Sequence, residues 1–154
     1  MTKQQFKITI AAPREVVWDA LWQDKYYREW TSAFSEGSHA ITDWKKGSKV
    51  HFLDGSGHGM FSKIADRRDN EFMSIQHLGL VKDGREVADS EKNEEWEGFE
   101  NYTLSERDGK TEVIVDLSYG NQSADVVKMF EEAFPKALAK LREIAERNVT
   151  EPMS

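Results

Sequence analysis

Residues 124–148 read ADVVKMFEEAFPKALAKLREIAERN, and their apolar side chains recur at steps of three and four. This spacing places them on one face of an α-helix. The apolar stripe consists of Val127, Phe130, Phe134, Leu138, Leu141 and Ala145. Pro135 lies inside the pattern and removes one backbone hydrogen bond, so we predict a long C-terminal helix that bends near Phe134. Such a helix needs an apolar surface to cover.

The segments before this helix predict the strands that supply that surface. Phe6, Ile8 and Ile10 alternate with polar residues, which is the period-2 pattern of a strand with one buried face. Two short helices are predicted next, one from Pro13 to about Trp22 and one over residues 24–30. Further strands are predicted over residues 40–44, 49–53, 60–66, 71–78, 95–106 and 111–118. Residues 80–93 are polar and acidic, and we predict a long surface loop there.

The order of these elements predicts the α+β class, because one strand and two helices are followed by antiparallel strands and then by the long helix. We expect a curved antiparallel β-sheet wrapped around the long kinked C-terminal helix, with the two short helices closing one end. That arrangement leaves an elongated interior between sheet and helix. We expect one domain over residues 1–150 and a frayed tail over residues 151–154.

The composition excludes several classes of function. The chain has 154 residues, no cysteine and a formal net charge of −7. Residues 83–100 hold eight acidic residues against Arg85 and Lys92, so much of the negative charge lies in this segment. Because a negative surface repels phosphate groups, we do not expect nucleic-acid binding. No stretch approaches the roughly 18 apolar residues of a membrane span and no signal peptide begins the chain, so we expect a cytoplasmic protein without membrane insertion.

The segment IAAPREVVWDAL at residues 10–21 resembles the opening of proteins in the START-related, Bet v-like superfamily. Later segments that resemble one branch of it, in the same order, are residues 44–54, 71–79, 101–104 and 134–141. That branch contains the bacterial homologues of the activator of the ninety-kilodalton heat-shock-protein ATPase. Many of its members carry Gly-Trp-Pro where this chain has Ala133-Phe134-Pro135. The resemblance implies a helix-grip fold whose relatives bind lipids, hormones or polyketides in a cavity, or contact a chaperone.

The candidate binding residues are side chains that such a fold would place around its interior. Ile75 and His77 share one strand face, so His77 is directed inward as either a hydrogen-bonded core histidine or a ligand contact. Glu100 has the strand parity of Tyr102, which places it on the inner face, whereas a bulge near Gly98 would turn it toward solvent. The full candidate set is Trp30, Trp44, Phe52, Met60, Ile75, His77, Trp96, Glu100, Tyr102, Phe130 and Phe134.

Three hypotheses about function follow from these residues. The first is non-enzymatic binding of a small hydrophobic or aromatic molecule, with His77, Glu100 or Tyr102 as polar anchors. The second is a chaperone-associated stress-response module with a chaperone or other protein as its partner, suggested by the resemblance and the acidic segment. The third, implied by some relatives, is a cyclase-like or hydrolase-like enzyme using His77 with Glu100. The four histidines lack the spacing of metal ligands, so we expect no metal, and we expect no cofactor.

Overall fold

The computed structural model of the protein describes residues 2–120 and 124–150. The frayed tail predicted at residues 151–154 lies outside these described residues. The elements in chain order are β1 (Thr2–Ile10), α1 (Arg14–Trp22), α2 (Asp24–Thr31), β2 (His39–Ile41), β3 (Lys49–Leu53), β4 (Gly59–Arg68), β5 (Phe72–Lys82), β6 (Arg85–Glu86), α3 (Ser90–Glu94), β7 (Gly98–Arg107), β8 (Lys110–Tyr119) and α4 (Ala124–Thr150).

The strands form one curved antiparallel sheet. Its order is β1-β8-β7-β5-β4-β3-β2, and the short strand β6 pairs with β5 outside this path. Every neighbouring pair is antiparallel, including β1 with β8, which are far apart in the chain. The α+β class and the antiparallel sheet with a long C-terminal helix are therefore confirmed.

Helix α4 covers the concave side of the sheet together with α1 and α2. The predicted stripe is buried at Phe134, Leu138, Leu141 and Ala145, and it is half-buried at Val127 and Phe130. Helix α4 contacts β1 directly, because the Phe6 and Phe134 rings stack with centroids 4.7 Å apart. Aromatic stacking of this kind adds to the free energy of apolar burial and fixes the position of the helix on the sheet. Pro135 lies inside the helix and is exposed.

The loop predicted over residues 80–93 is wrong in most of its length. Strand β5 continues to Lys82, turns back at Asp83 and Gly84, and pairs with β6. Helix α3 then begins after Asp89, whose carboxylate accepts hydrogen bonds from the backbone N–H groups of Glu91 and Lys92. A short helix can form here because an aspartate at the N-cap satisfies amide groups that would otherwise lack partners.

Two predicted strands also have different bounds in the structure. Strand β2 stops at Ile41, so Trp44 lies in the loop between β2 and β3. Its φ is positive, at 60°, and its carbonyl accepts a hydrogen bond from Arg67 Nη1 at 3.1 Å. Strand β7 begins at Gly98, so Trp96 precedes it. Within the described part of the chain, no helix combines the length and the apolar character needed to cross a membrane.

Candidate functional site

A cavity of about 570 Å³ lies between the concave face of the sheet, helix α2 and the N-terminal half of α4. Its volume falls within the range of roughly 300–1,000 Å³ that is usual for small-molecule sites. Among the candidate residues from the sequence, those that line it are Trp30, Phe52, Met60, His77, Trp96, Glu100, Tyr102, Phe130 and Phe134.

Two candidate residues do not reach the cavity. The ring of Trp44 packs 4.8 Å from the ring of Trp22 and 5.5 Å from that of Tyr27, behind the cavity wall. Ile75 is only 1% exposed and belongs to the packed core. Trp44 thus packs against rings of the two short helices, and Ile75 fills space in the core. Neither Trp44 nor Ile75 is therefore among the residues that line the cavity.

Helix α2 contributes lining residues that the sequence analysis did not select. Tyr27 and Thr31 border the cavity together with Trp30, and Phe34 borders it from the turn that follows the helix. These positions follow the i, i+3, i+4, i+7 spacing of one helical face, so extending the face from Trp30 would have found them. Leu117 and Tyr119 on β8 also line the cavity. They alternate with polar residues along the strand, and this pattern indicates that their side chains face inward.

Four side chains form a connected group at the cavity, which we call the interior polar cluster: His77, Glu100 and Tyr102, which line the cavity, and Ser62, which is fully buried beside His77. Ser62 Oγ lies 2.6 Å from His77 Nδ1, and His77 Nε2 lies 3.0 Å from Glu100 Oε1. The Tyr102 hydroxyl donates to Glu100 Oε2. The cluster thus joins strands β4, β5 and β7 through their inward-facing side chains.

The register of β7 explains why Glu100 faces inward. The strand pairs with β5 and with β8 without a register shift, so Glu100 and Tyr102 stay on the same face. His77 is paired with Gly98, which makes Glu100 its diagonal neighbour across the two strands. The sequence left two directions open for the Glu100 side chain, and in the structure this side chain faces inward. The irregularities lie in the pairing of β4 with β5, between Phe61 and Ser62 and again near Asp66.

The electrostatics of the cavity keep its tyrosines neutral. Burial raises the pKa of Tyr102 well above 10, and the negative charge of Glu100 and the hydrogen bond to it raise the pKa further. Burial likewise raises the pKa of Tyr27, with the charge of Glu100 as the second cause. Both hydroxyl groups therefore remain hydrogen-bond donors at neutral pH.

The walls around the interior polar cluster are mainly aromatic. The Phe52 ring meets the His77 ring edge-on with centroids 5.8 Å apart, and it lies 6.2 Å from the Tyr27 ring. Trp30 lies 6.3 Å from the Tyr102 ring on the neighbouring side. Such walls offer a flat apolar ligand a large contact area around one polar point.

The same geometry limits the chemistry that the cavity can perform. Ser62 is fully buried at 0% exposure, so a substrate in the cavity cannot reach its hydroxyl as a nucleophile. His77 and Glu100 touch each other and face the cavity, which provides a candidate proton-transfer pair. Over residues 2–120 and 124–150, no group of three or more potential ligand side chains is placed to hold a metal ion.

Known proteins resemble the chain in sequence profile and in fold. A protein of Mesorhizobium loti superposes with a TM-score of 0.76 at 15% identity, covering 95% of this chain and 98% of its own. The Aha1 dimer from Colwellia psychrerythraea gives 0.70 at 18% identity, with 95% and 97% covered. A protein of Cytophaga hutchinsonii gives 0.69 at 20% identity, with 97% of each chain covered. At these identities the likeness concerns the fold alone.

The profile match is more specific than the structural likeness. No curated protein matches the chain. The family model described as Activator of Hsp90 ATPase homolog 1-like protein matches residues 11–146, which include both short helices, most of the sheet and nearly all of α4. The resemblance found in the sequence is thereby confirmed, and the chain belongs to the Activator of Hsp90 ATPase homolog 1-like protein family.

Proposed function

We propose that the protein is a non-enzymatic binder of a small hydrophobic or aromatic molecule, held between the sheet and the C-terminal helix. The observation that carries this proposal is a cavity of about 570 Å³ with aromatic walls and one cluster of polar groups. A pocket with large apolar surfaces and a few polar groups is the usual form of a small-molecule site. We also place this activity in the cytoplasm, which the absence of cysteine supports.

The proposal is tested with N-phenyl-1-naphthylamine, a neutral aromatic probe whose fluorescence rises in apolar surroundings. We expect saturable binding to the wild-type protein, together with an increase in melting temperature because the probe binds only the folded state. In a Met60→Trp variant the larger side chain occupies the cavity, so binding should weaken by at least about tenfold.

The matched control is Ile41→Trp, because Ile41 is 59% exposed and is not among the residues lining the cavity. It should bind the probe as the wild-type protein does. Circular dichroism verifies that both variants are folded. Equal binding by the wild-type protein and the Met60→Trp variant would show that the probe does not enter the cavity and would contradict the proposal.

A chaperone-associated interaction module is the second candidate. Family membership and the exposed acidic residues on and after α3 favour it, among them Glu94, Glu95 and Glu97. A pull-down with the bacterial ninety-kilodalton chaperone, repeated after charge reversal of these three residues, tests this candidate. Retention that disappears on charge reversal supports an interaction through this surface, and no retention of the unmodified protein argues against it.

The inward placement of His77 and Glu100 also supports the third candidate, a cyclase-like or hydrolase-like enzyme. The two side chains meet the geometric requirement for proton transfer, since Nε2 and Oε1 are 3.0 Å apart. Mass spectrometry of a bound compound separates this candidate from a binder. A binder releases the compound unchanged, whereas an enzyme releases a product whose mass or fragmentation differs.

A further inference from the structure

The interior polar cluster uses its own hydrogen-bond donors internally. Both ring nitrogens of His77 are engaged, Nδ1 with Ser62 and Nε2 with Glu100, and the Tyr102 hydroxyl donates to Glu100. A carboxyl group has about four lone-pair sites on its two oxygens, and these contacts use two of them. The cluster therefore presents hydrogen-bond acceptors to the cavity through Glu100.

This result does not depend on where the proton between His77 and Glu100 resides. If the proton is on Nε2, Glu100 is a carboxylate with a spare lone pair on each oxygen. If the proton is on Oε1, it points at Nε2, which lies 3.0 Å away, and Oε2 still accepts from Tyr102. In either case a ligand beside Glu100 meets an acceptor and has to supply the donor itself.

Tyr27 supplies the complementary group. Its ring lines the cavity, and its hydroxyl has no hydrogen-bond partner among the side chains and backbone groups of the described residues. The charge of Glu100 acts on this hydroxyl, because it contributes to raising the pKa of Tyr27. A neutral phenol can both donate and accept, so Tyr27 can donate to an oxygen that is itself donating to Glu100.

A ligand hydroxyl group suits the chemistry of both side chains, which line the same cavity, since its O–H can donate to Glu100 while its oxygen can accept from Tyr27. A carboxylate fits poorly because it has no proton to donate and adds a second negative charge beside Glu100 in a largely apolar space. The cation among the lining residues is Lys82, which is exposed and therefore hydrated.

We infer that the ligand of this cavity is a neutral aromatic or alicyclic alcohol or phenol whose hydroxyl binds between Glu100 and Tyr27, and that carboxylic acids are rejected. This inference rests on the proposed binding function and adds the chemical class of the ligand. It separates the chain from a carrier of fatty acids, whose head group would be an anion.

The test compares three probes with the same ring system: 2-naphthol, 2-methylnaphthalene and 2-naphthoate. Their dissociation constants are measured at pH 7 by the quenching of tryptophan fluorescence, with calorimetry as a second readout. We expect 2-naphthol to bind about ten to a hundred times more tightly than 2-methylnaphthalene, as a hydrogen bond to a charged group predicts. We expect 2-naphthoate to bind more weakly than both.

Two variants assign this preference to the named residues. Glu100→Gln removes the charge and should reduce the preference for 2-naphthol over 2-naphthoate by at least about tenfold. Tyr27→Phe should lower the affinity for 2-naphthol relative to 2-methylnaphthalene by about three- to tenfold. The comparison uses the ratio of the affinities of two probes for the same variant, so a change that affects all probes alike cancels. The matched control is Tyr26→Phe, because Tyr26 is a buried neighbour that does not line the cavity.

The possible results distinguish the two proposals. If 2-methylnaphthalene binds but 2-naphthol has no advantage, or if 2-naphthoate binds as tightly as 2-naphthol, the inferred ligand class is wrong and the binding function stands. If none of the three probes binds, the binding function fails and the ligand class with it. If Glu100→Gln does not fold, the Tyr27→Phe ratio still decides whether the hydroxyl is recognised.

Discussion

At the scale of single residues, Tyr102 combines packing with hydrogen bonding. Its ring meets the Trp22 ring edge-on at 5.0 Å, and its hydroxyl donates to Glu100. The side chain is 1% exposed, so water cannot replace this hydrogen bond in the folded protein. Removing the hydroxyl therefore takes a donor from a carboxylate that only partly contacts solvent through the cavity.

We predict that Tyr102→Phe lowers the free energy of unfolding by about 1.5–3 kcal/mol, the usual cost of losing a hydrogen bond to a charged group. The control is Tyr119→Phe, which loses a bond between neutral groups, from the Tyr119 hydroxyl to Gln4 Oε1 at 2.5 Å. Its expected cost is about 0.5–1.5 kcal/mol. Denaturant titration at pH 7 measures both changes. Equal losses would show that the charge of Glu100 adds nothing to the bond.

Strand parity predicted the inward direction of His77, whereas for Glu100 it left two directions open, inward or turned toward solvent by a bulge near Gly98. Parity works at these positions because β5 and β7 pair with each other without a shift. Contact between the two side chains could not be predicted, because it depends on which residue of one strand lies beside which residue of the other. The contribution of Ser62 was missed for a related reason, since a serine in a strand gives no sign of its partner.

At the scale of elements, the segment from β6 to α3 is fixed to the sheet by Asn93. The Asn93 carbonyl oxygen accepts from the Leu80 backbone N–H at 2.9 Å, and its amide donates to the Val87 carbonyl at 2.8 Å. The side chain fits because Gly79 leaves room beneath it, since a Cβ at Gly79 would lie 2.5 Å from the Asn93 side chain. One asparagine thus ties an acidic stretch to the edge of the sheet as an ordered segment.

We predict that Asn93→Ala releases the segment from β6 to α3 while the rest of the fold persists. The variant loses two hydrogen bonds made by a buried side chain, at a cost of about 1–3 kcal/mol. Hydrogen exchange should become faster at the Leu80 amide, which loses its acceptor, while the amides between β7 and β8 keep their protection. The control is Lys92→Ala, an exposed neighbour on the same helix. Unchanged exchange at Leu80 in the asparagine variant would contradict the prediction.

The same segment shows which helices and strands could not be predicted from the sequence. The long alternating and helical patterns predicted β1, β8 and α4 to within a few residues. Residues 80–93 were predicted as a loop. Their regular structure depends on the Asn93 side chain and on the space that Gly79 leaves for it. Neither feature produces a periodic pattern, so a period-based argument cannot detect it.

At the scale of the whole molecule, Tyr27 and Tyr102, two of the buried tyrosines that line the cavity, couple stability to alkaline pH. Tyrosines in the unfolded chain ionise near pH 10, whereas Tyr27 and Tyr102 hold their protons well above that pH when folded. A pKa that is raised by folding contributes stability that is complete below the unfolded pKa. This contribution decreases as the pH rises above it, because only the unfolded chain loses the proton.

We predict that the melting temperature of the wild-type protein falls more steeply above about pH 10 than that of a Tyr27→Phe, Tyr102→Phe double variant. Comparing the two slopes removes the effects of lysines and surface groups, which both proteins share. Phenolate absorbance gives a second readout, and the signal of these two tyrosines should develop together with the loss of circular dichroism. Parallel slopes for the two proteins would contradict the prediction.

The class of fold could be predicted from the order of patterns, but the presence of an open cavity could not. Whether an interior is filled depends on how side-chain volumes fit in three dimensions. Trp44 and Ile75 pack into the core, while Tyr27 and Phe52 border open space, although all four are large apolar or aromatic residues. Sequence spacing indicates which side chains face the interior of a regular strand or helix, and it does not distinguish those that fill the core from those that line a cavity.

The pairing of β1 with β8 and the covering of the sheet by α4 have a consequence for synthesis on the ribosome. The first strand leaves the ribosome early, yet its partner Lys110–Tyr119 emerges only after all the other strands, and α4 follows later still. Until then the nascent chain exposes a concave surface rich in aromatic residues, and such a surface is prone to aggregate. The sheet is therefore closed and covered only after α4 has emerged, so premature release of chains that lack this helix should yield aggregates.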